Sequence, residues 1–140
     1  MTPPLADIDH VHVFVANQNA AANWYRDVLG LCVVEELRQW SAGAGPLTIA
    51  NATGTIHLAL FERAPEKCRS TIALSTSAGD FLAWREHLAN VFNHKVDAVD
   101  HAVSWSLYFS DPDGNPFEIT SYEHTAISSA LRRADGRLAQ

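Results

Sequence analysis

VDHAVSWSLYFSDPDGNPFE, residues 99–118, reads as two strands folded back on a tight turn, and the polar side of that hairpin carries a histidine, a tyrosine and a glutamate. Trp105, Leu107 and Phe109 alternate with Ser104, Ser106 and Tyr108, so one face is apolar and the other can line a polar cavity. Asp111-Pro112-Asp113-Gly114 supplies the turn, since proline presets the first central position and glycine tolerates the exit conformation. On the return, Phe117 and Ile119 share the apolar face, and Glu118, Thr120 and Tyr122 the other. A carboxylate in mid-strand has to be paired, hydrated or bound to a cation, because burying it alone costs several kcal/mol.

Working outward, the chain repeats itself. Ile8–Val15 alternates as a strand, with Val11, Val13 and Val15 on one side and His10, His12 and Phe14 on the other. A helix is predicted over 20–29, capped by Asn17 or Asn19, with Ala21, Trp24, Tyr25 and Val28 as its apolar stripe and Gly30 as its stop. Strands are predicted over 32–37, 47–50 and 55–61, with a loop at 41–46 and a turn at 51–54. After a linker at 63–69 the order begins again. It runs through a strand at 71–75, a helix capped by Ser77 with Phe81, Trp84, Leu88 and Val91 or Phe92 on its buried side, a strand at 96–99 and the hairpin. An offset of about 61 residues carries His57 onto Glu118 and His10 onto Thr71.

The expected fold is α+β. Two βαβββ modules, 8–62 and 70–123, form one domain over 1–140 as a cup-shaped, mainly antiparallel sheet with helices outside, followed by an amphipathic helical tail at 125–140. The 140 residues, 47% of them hydrophobic, suffice for a substantial core. A net charge of -6 without a basic run argues against nucleic acid or an anionic membrane surface as partner, leaving small molecules. Cys32 and Cys68 have no metal-knuckle spacing and suit a reducing compartment. No apolar run approaches a membrane span and MTPPLADID lacks signal-peptide features, so a cytoplasmic protein is expected.

In this cup His10, His57 and Glu118 would point into one cavity from three strands, and two imidazoles with a carboxylate are a facial set for a divalent metal with open positions. His12 shares the face of His10 and is a candidate hydrogen-bond partner, alternative ligand or wall residue; Thr71 is a candidate partner for a bound water or a ligand. His101, Tyr108 and Tyr122 are candidates for proton handling, the tyrosines equally for structural hydroxyls. His87, His94 and His124 are expected to be solvated.

Residues 8–123 resemble the vicinal oxygen chelate superfamily of glyoxalase I, type I extradiol dioxygenases, fosfomycin-resistance thiol transferases and bleomycin-binding proteins. IDHVHVFVANQNAAANWYRDVLGL is similar to the family's opening strand and helix, and SLYFSDPDGNPFEI to its closing hairpin. Val99-x-His101, five residues, Leu107-Tyr108, two residues, Asp111-Pro112-x-Gly114, three residues and Glu118 resemble the extradiol dioxygenase signature. The resemblance implies His10 and Glu118 as ligands of an Fe, Mn, Zn, Ni or Co ion, His101 and Tyr108 beside a vicinal-dioxygen substrate such as a catechol, and a homodimer. Relatives usually carry a histidine where this chain has Thr71, and glyoxalase I a glutamate where it has His57. The resemblance thus points first to an extradiol-type enzyme, then to a lyase, isomerase or thiol transferase. A metal-free binding protein of the bleomycin-resistance type, with Trp40, Phe14, Phe61 and Tyr122 lining its cleft, is the reading from another class.

Overall fold

In the computed structural model, which describes residues 2–64, 66, 68 and 70–138, the chain divides into two compact units, Met1–Lys67 and Cys68–Gln140. The predicted linker contains that boundary; its Pro65, Lys67 and Arg69 lie outside the described residues, as do Ala139 and Gln140 of the tail.

The first unit runs β1 (Val11–Val15), α1 (Gln18–Leu29), β2 (Cys32–Val33), a 3-10 helix (Glu35–Ser41), β3 (Leu47–Ala50) and β4 (His57–Glu62). Its sheet has the order β1-β4-β3-β2, with β1 parallel to β4 and the remaining pairs antiparallel. Asn17 caps α1, its Oδ1 accepting from the Ala20 N–H at 2.9 Å, and Gly30 ends it in the left-handed region at φ 69°. The helix buries Ala21, Ala22, Tyr25, Val28 and Leu29 and packs on β2, β3 and β4, above Val13, Val15, Ile49, Leu58 and Leu60. Gln18 reinforces that packing: its Nε2 donates to the carbonyls of Gly45 (2.9 Å) and Leu60 (2.8 Å).

The strand predicted over 32–37 stops at Val33. Glu35 and Arg38, three residues apart, eclipse on the tighter 3-10 helix and join through two hydrogen bonds, Nε to Oε2 at 2.6 Å and a terminal guanidinium nitrogen to Oε1 at 2.8 Å. This pairing holds the Glu35 carboxyl below its ordinary value and raises the Arg38 guanidinium. Two acidic residues and an arginine at helical spacing outweighed the apolar flanks that suggested a strand.

The second unit runs β5 (Ile72–Ser75), α2 (Ala78–Phe92), β6 (Ala98–Asp100), β7 (Trp105–Ser110), β8 (Pro116–Ser121) and α3 (His124–Leu138). The order β5-β8-β7-β6 mirrors that of the first sheet, again with one parallel pair, β5 with β8. Ser77 caps α2, its Oγ accepting from the Asp80 N–H at 3.2 Å. Phe81 and Leu88 are fully buried, whereas Val91, offered as a stripe residue, is 41% exposed. The amphipathic tail is α3, which buries Ile127 and Leu131 and packs on α2.

Both units are therefore βαβββ modules, each an α+β layer with a four-stranded mixed sheet. Their parallel ladders differ in register. Val11 pairs with Leu58, but Ile72 pairs with Phe117, two residues short of the partner that the offset of 61 implies. A two-residue shift leaves every side chain on its own face and slides it along the strand. Ala73, not Thr71, consequently stands beside Glu118, while one step beyond the first ladder sets His10 beside His57. Among the described residues no helix is long and apolar enough to cross a membrane.

Candidate functional site

The candidate side chains fall into two groups, one in each unit. In the second, Tyr108 on β7 is the direct cross-strand partner of Glu118 on β8, and Ser106 that of Thr120, so these four side chains share one face. Leu107, Phe117 and Ile119 fill the opposite face. Ser106 is fully buried and its Oγ donates to Glu118 Oε1 at 2.6 Å, with Thr120 Oγ1 behind it at 3.0 Å. One serine proton satisfies one carboxylate oxygen. The other oxygen has no hydrogen-bond partner among the described residues, which suits a cation ligand.

Tyr108, 44% exposed, also reaches sideways: its hydroxyl lies 2.9 Å from His101 Nε2, with the rings edge to face. A sharp turn presents His101. Its N–H donates to the Ser104 carbonyl (2.9 Å) and its carbonyl accepts from Val103 (2.8 Å), while Ala102 between them sits in the left-handed region at φ 68°. That unfavourable conformation is held by the Ala102 N–H donating to Asp100 Oδ1 at 2.8 Å. The same oxygen accepts from His124 Nε2 at 2.7 Å, and these two donors, His124 first, keep the Asp100 carboxyl below its ordinary value. His124, expected to be solvated, is thus a structural anchor, stacked on Trp105 with ring centres 5.7 Å apart. Strand-end position in the sequence concealed it, because Asp100 is 24 residues away. His94 is exposed, as expected, with Nδ1 3.1 Å from the Lys95 carbonyl, while half-buried His87 packs edge-on against Trp84.

Asp111 organises the hairpin turn. Its Oδ1 accepts from the N–H groups of Asp113 (2.9 Å) and Asn115 (2.8 Å), and its Oδ2 from the Asn115 amide (2.8 Å). Tyr122 lies one residue past β8 on the Glu118 side by alternation and is 77% exposed. Thr71 is exposed, one residue before β5. A cleft of about 610 Å³ between α2, β6 and α3 is bounded by Trp105 and His124 and not by Tyr108 or Glu118, which stand on the sheet face.

In the first unit His10, one residue before β1, has both ring nitrogens engaged. Nδ1 lies 2.7 Å from Asp9 Oδ2 and, facing a carboxylate, carries the proton; Nε2 lies 3.0 Å from Nε2 of His12. His12 packs in turn against Phe61, ring centres 4.6 Å apart, and Phe14 meets Phe61 at 6.2 Å with the Arg63 guanidinium 4.7 Å above it. His57 shares this face by alternation and borders a cleft of about 530 Å³ with Cys32, Glu35, Glu36 and Ala50. Within either unit, among the described residues, no three His, Cys, Asp or Glu side chains are grouped to hold a metal. The donor types present, imidazole and carboxylate, suit a divalent transition ion.

The fold has counterparts among known proteins. No curated protein matches the chain. Among solved structures it is similar to a mutant of FosX, the genomically encoded fosfomycin resistance protein of Listeria monocytogenes, complexed with Mn(II) and 1S,2S-dihydroxypropylphosphonic acid, at 13% identity and TM-score 0.67 over 88% of this chain and 97% of that one. It is similar also to lactoylglutathione lyase of Agrobacterium tumefaciens (21%, TM-score 0.64, 85% and 95%) and to a glyoxalase/dioxygenase of Nostoc punctiforme (20%, TM-score 0.61, 87% and 98%). At these identities the likeness is one of fold. A family model matches residues 7–119, four fifths of the sequence and the strands of both modules, and so the chain belongs to the glyoxalase/bleomycin resistance protein/dioxygenase superfamily.

Proposed function

We propose that the protein is a divalent-metal enzyme acting on a small substrate with two vicinal oxygens, as an extradiol-type dioxygenase of a catechol, and that it works as a homodimer. The observation that carries the reading is the His101–Tyr108 hydrogen bond of 2.9 Å, one cross-strand step from Glu118. His10, His57 and Glu118 are the proposed ligands. A bound Fe(II) or Mn(II) supplies Lewis acidity and open positions for both substrate oxygens. The FosX mutant complexed with both Mn(II) and 1S,2S-dihydroxypropylphosphonic acid, a vicinal diol, supports pairing a divalent ion with such a substrate on this fold.

The chain's own residues do the remaining work. Ser106, donating to Glu118 Oε1, fixes the carboxylate rotamer and leaves the other oxygen for a cation. Tyr108 and His101 share a proton between Oη and Nε2, so the pair can take a proton from a substrate hydroxyl and return it to the product. Asp100 and His124 hold the turn that keeps the imidazole in reach. Ring cleavage places both atoms of O2 in the product and needs no external reductant.

The test is oxygen uptake over a panel of catechols after anaerobic Fe(II) loading. Uptake by the wild type is expected, with Tyr108→Phe and His101→Ala lowering kcat about 100-fold at unchanged iron content. Iron binding without uptake of oxygen on any catechol removes the dioxygenase assignment in favour of a lyase, isomerase or transferase. Tight binding of a planar ligand by metal-free protein, unaffected by Glu118→Ala, would instead establish sequestration.

A further inference from the structure

His10 and His12 alternate onto one face of β1 with Nε2 atoms 3.0 Å apart while their ring centres stand 5.0 Å apart, so the two nitrogen corners lean toward each other. Two imidazole nitrogens bound at about 2.1 Å to one ion stand about 3.0 Å apart at right angles and about 3.4 Å apart at the tetrahedral angle of Zn2+. In the metal-free pair the 3.0 Å separation is a hydrogen bond, His12 Nε2–H donating to the lone pair of His10 Nε2, so an ion takes the place of the shared proton, which passes to His12 Nδ1 or to solvent, and the nitrogens open by no more than about 0.4 Å. Both rings are oriented from outside the pair. Asp9 Oδ2, 2.7 Å from His10 Nδ1, keeps the proton on that nitrogen and the lone pair on Nε2, the carboxylate–histidine pairing that directs metal ligands. Phe61, packed 4.6 Å from His12, fixes the second ring against the sheet.

In the second module the ladder partners of Glu118 are Ala73 and Tyr108, neither of them an imidazole. Thr71 is a neutral hydroxyl, and the register places Ala73, not Thr71, next to Glu118. From these observations we infer that His12 is itself a metal ligand, forming a same-strand chelate with His10 for a borderline divalent ion such as Zn2+, Co2+ or Fe2+. The inference rests on the metal-dependent reading above and alters its ligand set.

The experiment uses the full chain stripped of metal, Zn2+ as the probe and two readouts independent of turnover. Calorimetry is expected to give one Zn2+ per chain, with His10→Ala and His12→Ala each weakening binding more than about 100-fold, the upper end of what losing a mere partner of a ligand costs. Long-range proton–nitrogen correlation spectra of the wild type, which need no variant, are expected to move the Nε2 resonances of both His10 and His12 into the metal-bound range at one equivalent. Zn2+ binding with a stationary His12 Nε2, and His12→Ala within about threefold of wild type, below the cost of even a lost partner, overturns the chelate while leaving a metal enzyme intact. A wild type that takes up no Zn2+, Co2+ or Fe2+ overturns both together.

Discussion

Ser106 shows how one residue can set a site. It is fully buried, yet a hydroxyl there is stable because it donates to Glu118 and is backed by Thr120. Ser106→Ala leaves a carboxylate oxygen unsatisfied in a half-buried position, and a loss of about 1–3 kcal/mol is expected in urea unfolding. Thr120→Val, which removes only the supporting hydroxyl, is expected to cost about 1 kcal/mol or less. Equal losses at the two positions would mean that the Ser106–Glu118 bond is not the dominant contact. His124 makes the same point from the reverse direction: nothing in its neighbours in sequence indicates the anchor that Asp100, across the fold, makes of it.

At the scale of elements, the loop after the 3-10 helix is set by close approach. A Cβ on Gly45 would collide with the Trp40 carbonyl oxygen, and the Gly45 carbonyl in turn receives the Gln18 side chain that pins α1. Backbone is a rigid obstacle. Gly45→Ala is therefore expected to cost about 1–3 kcal/mol, measured as a lowered thermal midpoint, whereas Gly136→Ala, open to solvent on α3, should be neutral or slightly stabilising. A Gly45→Ala protein as stable as wild type would refute that packing. The 3-10 helix itself was missed because Cys32–Leu37 has the apolar content of a strand, and only the Glu35–Arg38 pairing at three-residue spacing disclosed the tighter turn.

Across the whole molecule the two units each hold a carboxyl depressed by its partners, Glu35 by Arg38 and Asp100 by His124 and the Ala102 N–H. A carboxyl lowered on folding stabilises fully above its unfolded value, about 3.9 for aspartate, and loses that contribution as pH falls through the lower folded value. Asp100→Asn is expected to destabilise the protein at about pH 6, with the difference from wild type shrinking toward about pH 3 in urea unfolding. A difference independent of pH would show that the charge on Asp100 contributes nothing.

Alternation, caps and turn chemistry were enough to establish the βαβββ order twice, the cap at Ser77, a choice of Asn17 or Asn19 for the first helix that the structure decides for Asn17, and the hairpin, because each depends on residues a few positions apart. They also put His10 with His12, and Tyr108 with Glu118, on shared strand faces. Ladder register, the His101–Tyr108 bond, the Asp100–His124 anchor and the 3.0 Å approach of two imidazoles were settled only by tertiary structure. Their physical reason is common to all: a strand's period of two tells which way a side chain points, but its height relative to a neighbouring strand is set by packing between segments distant in sequence.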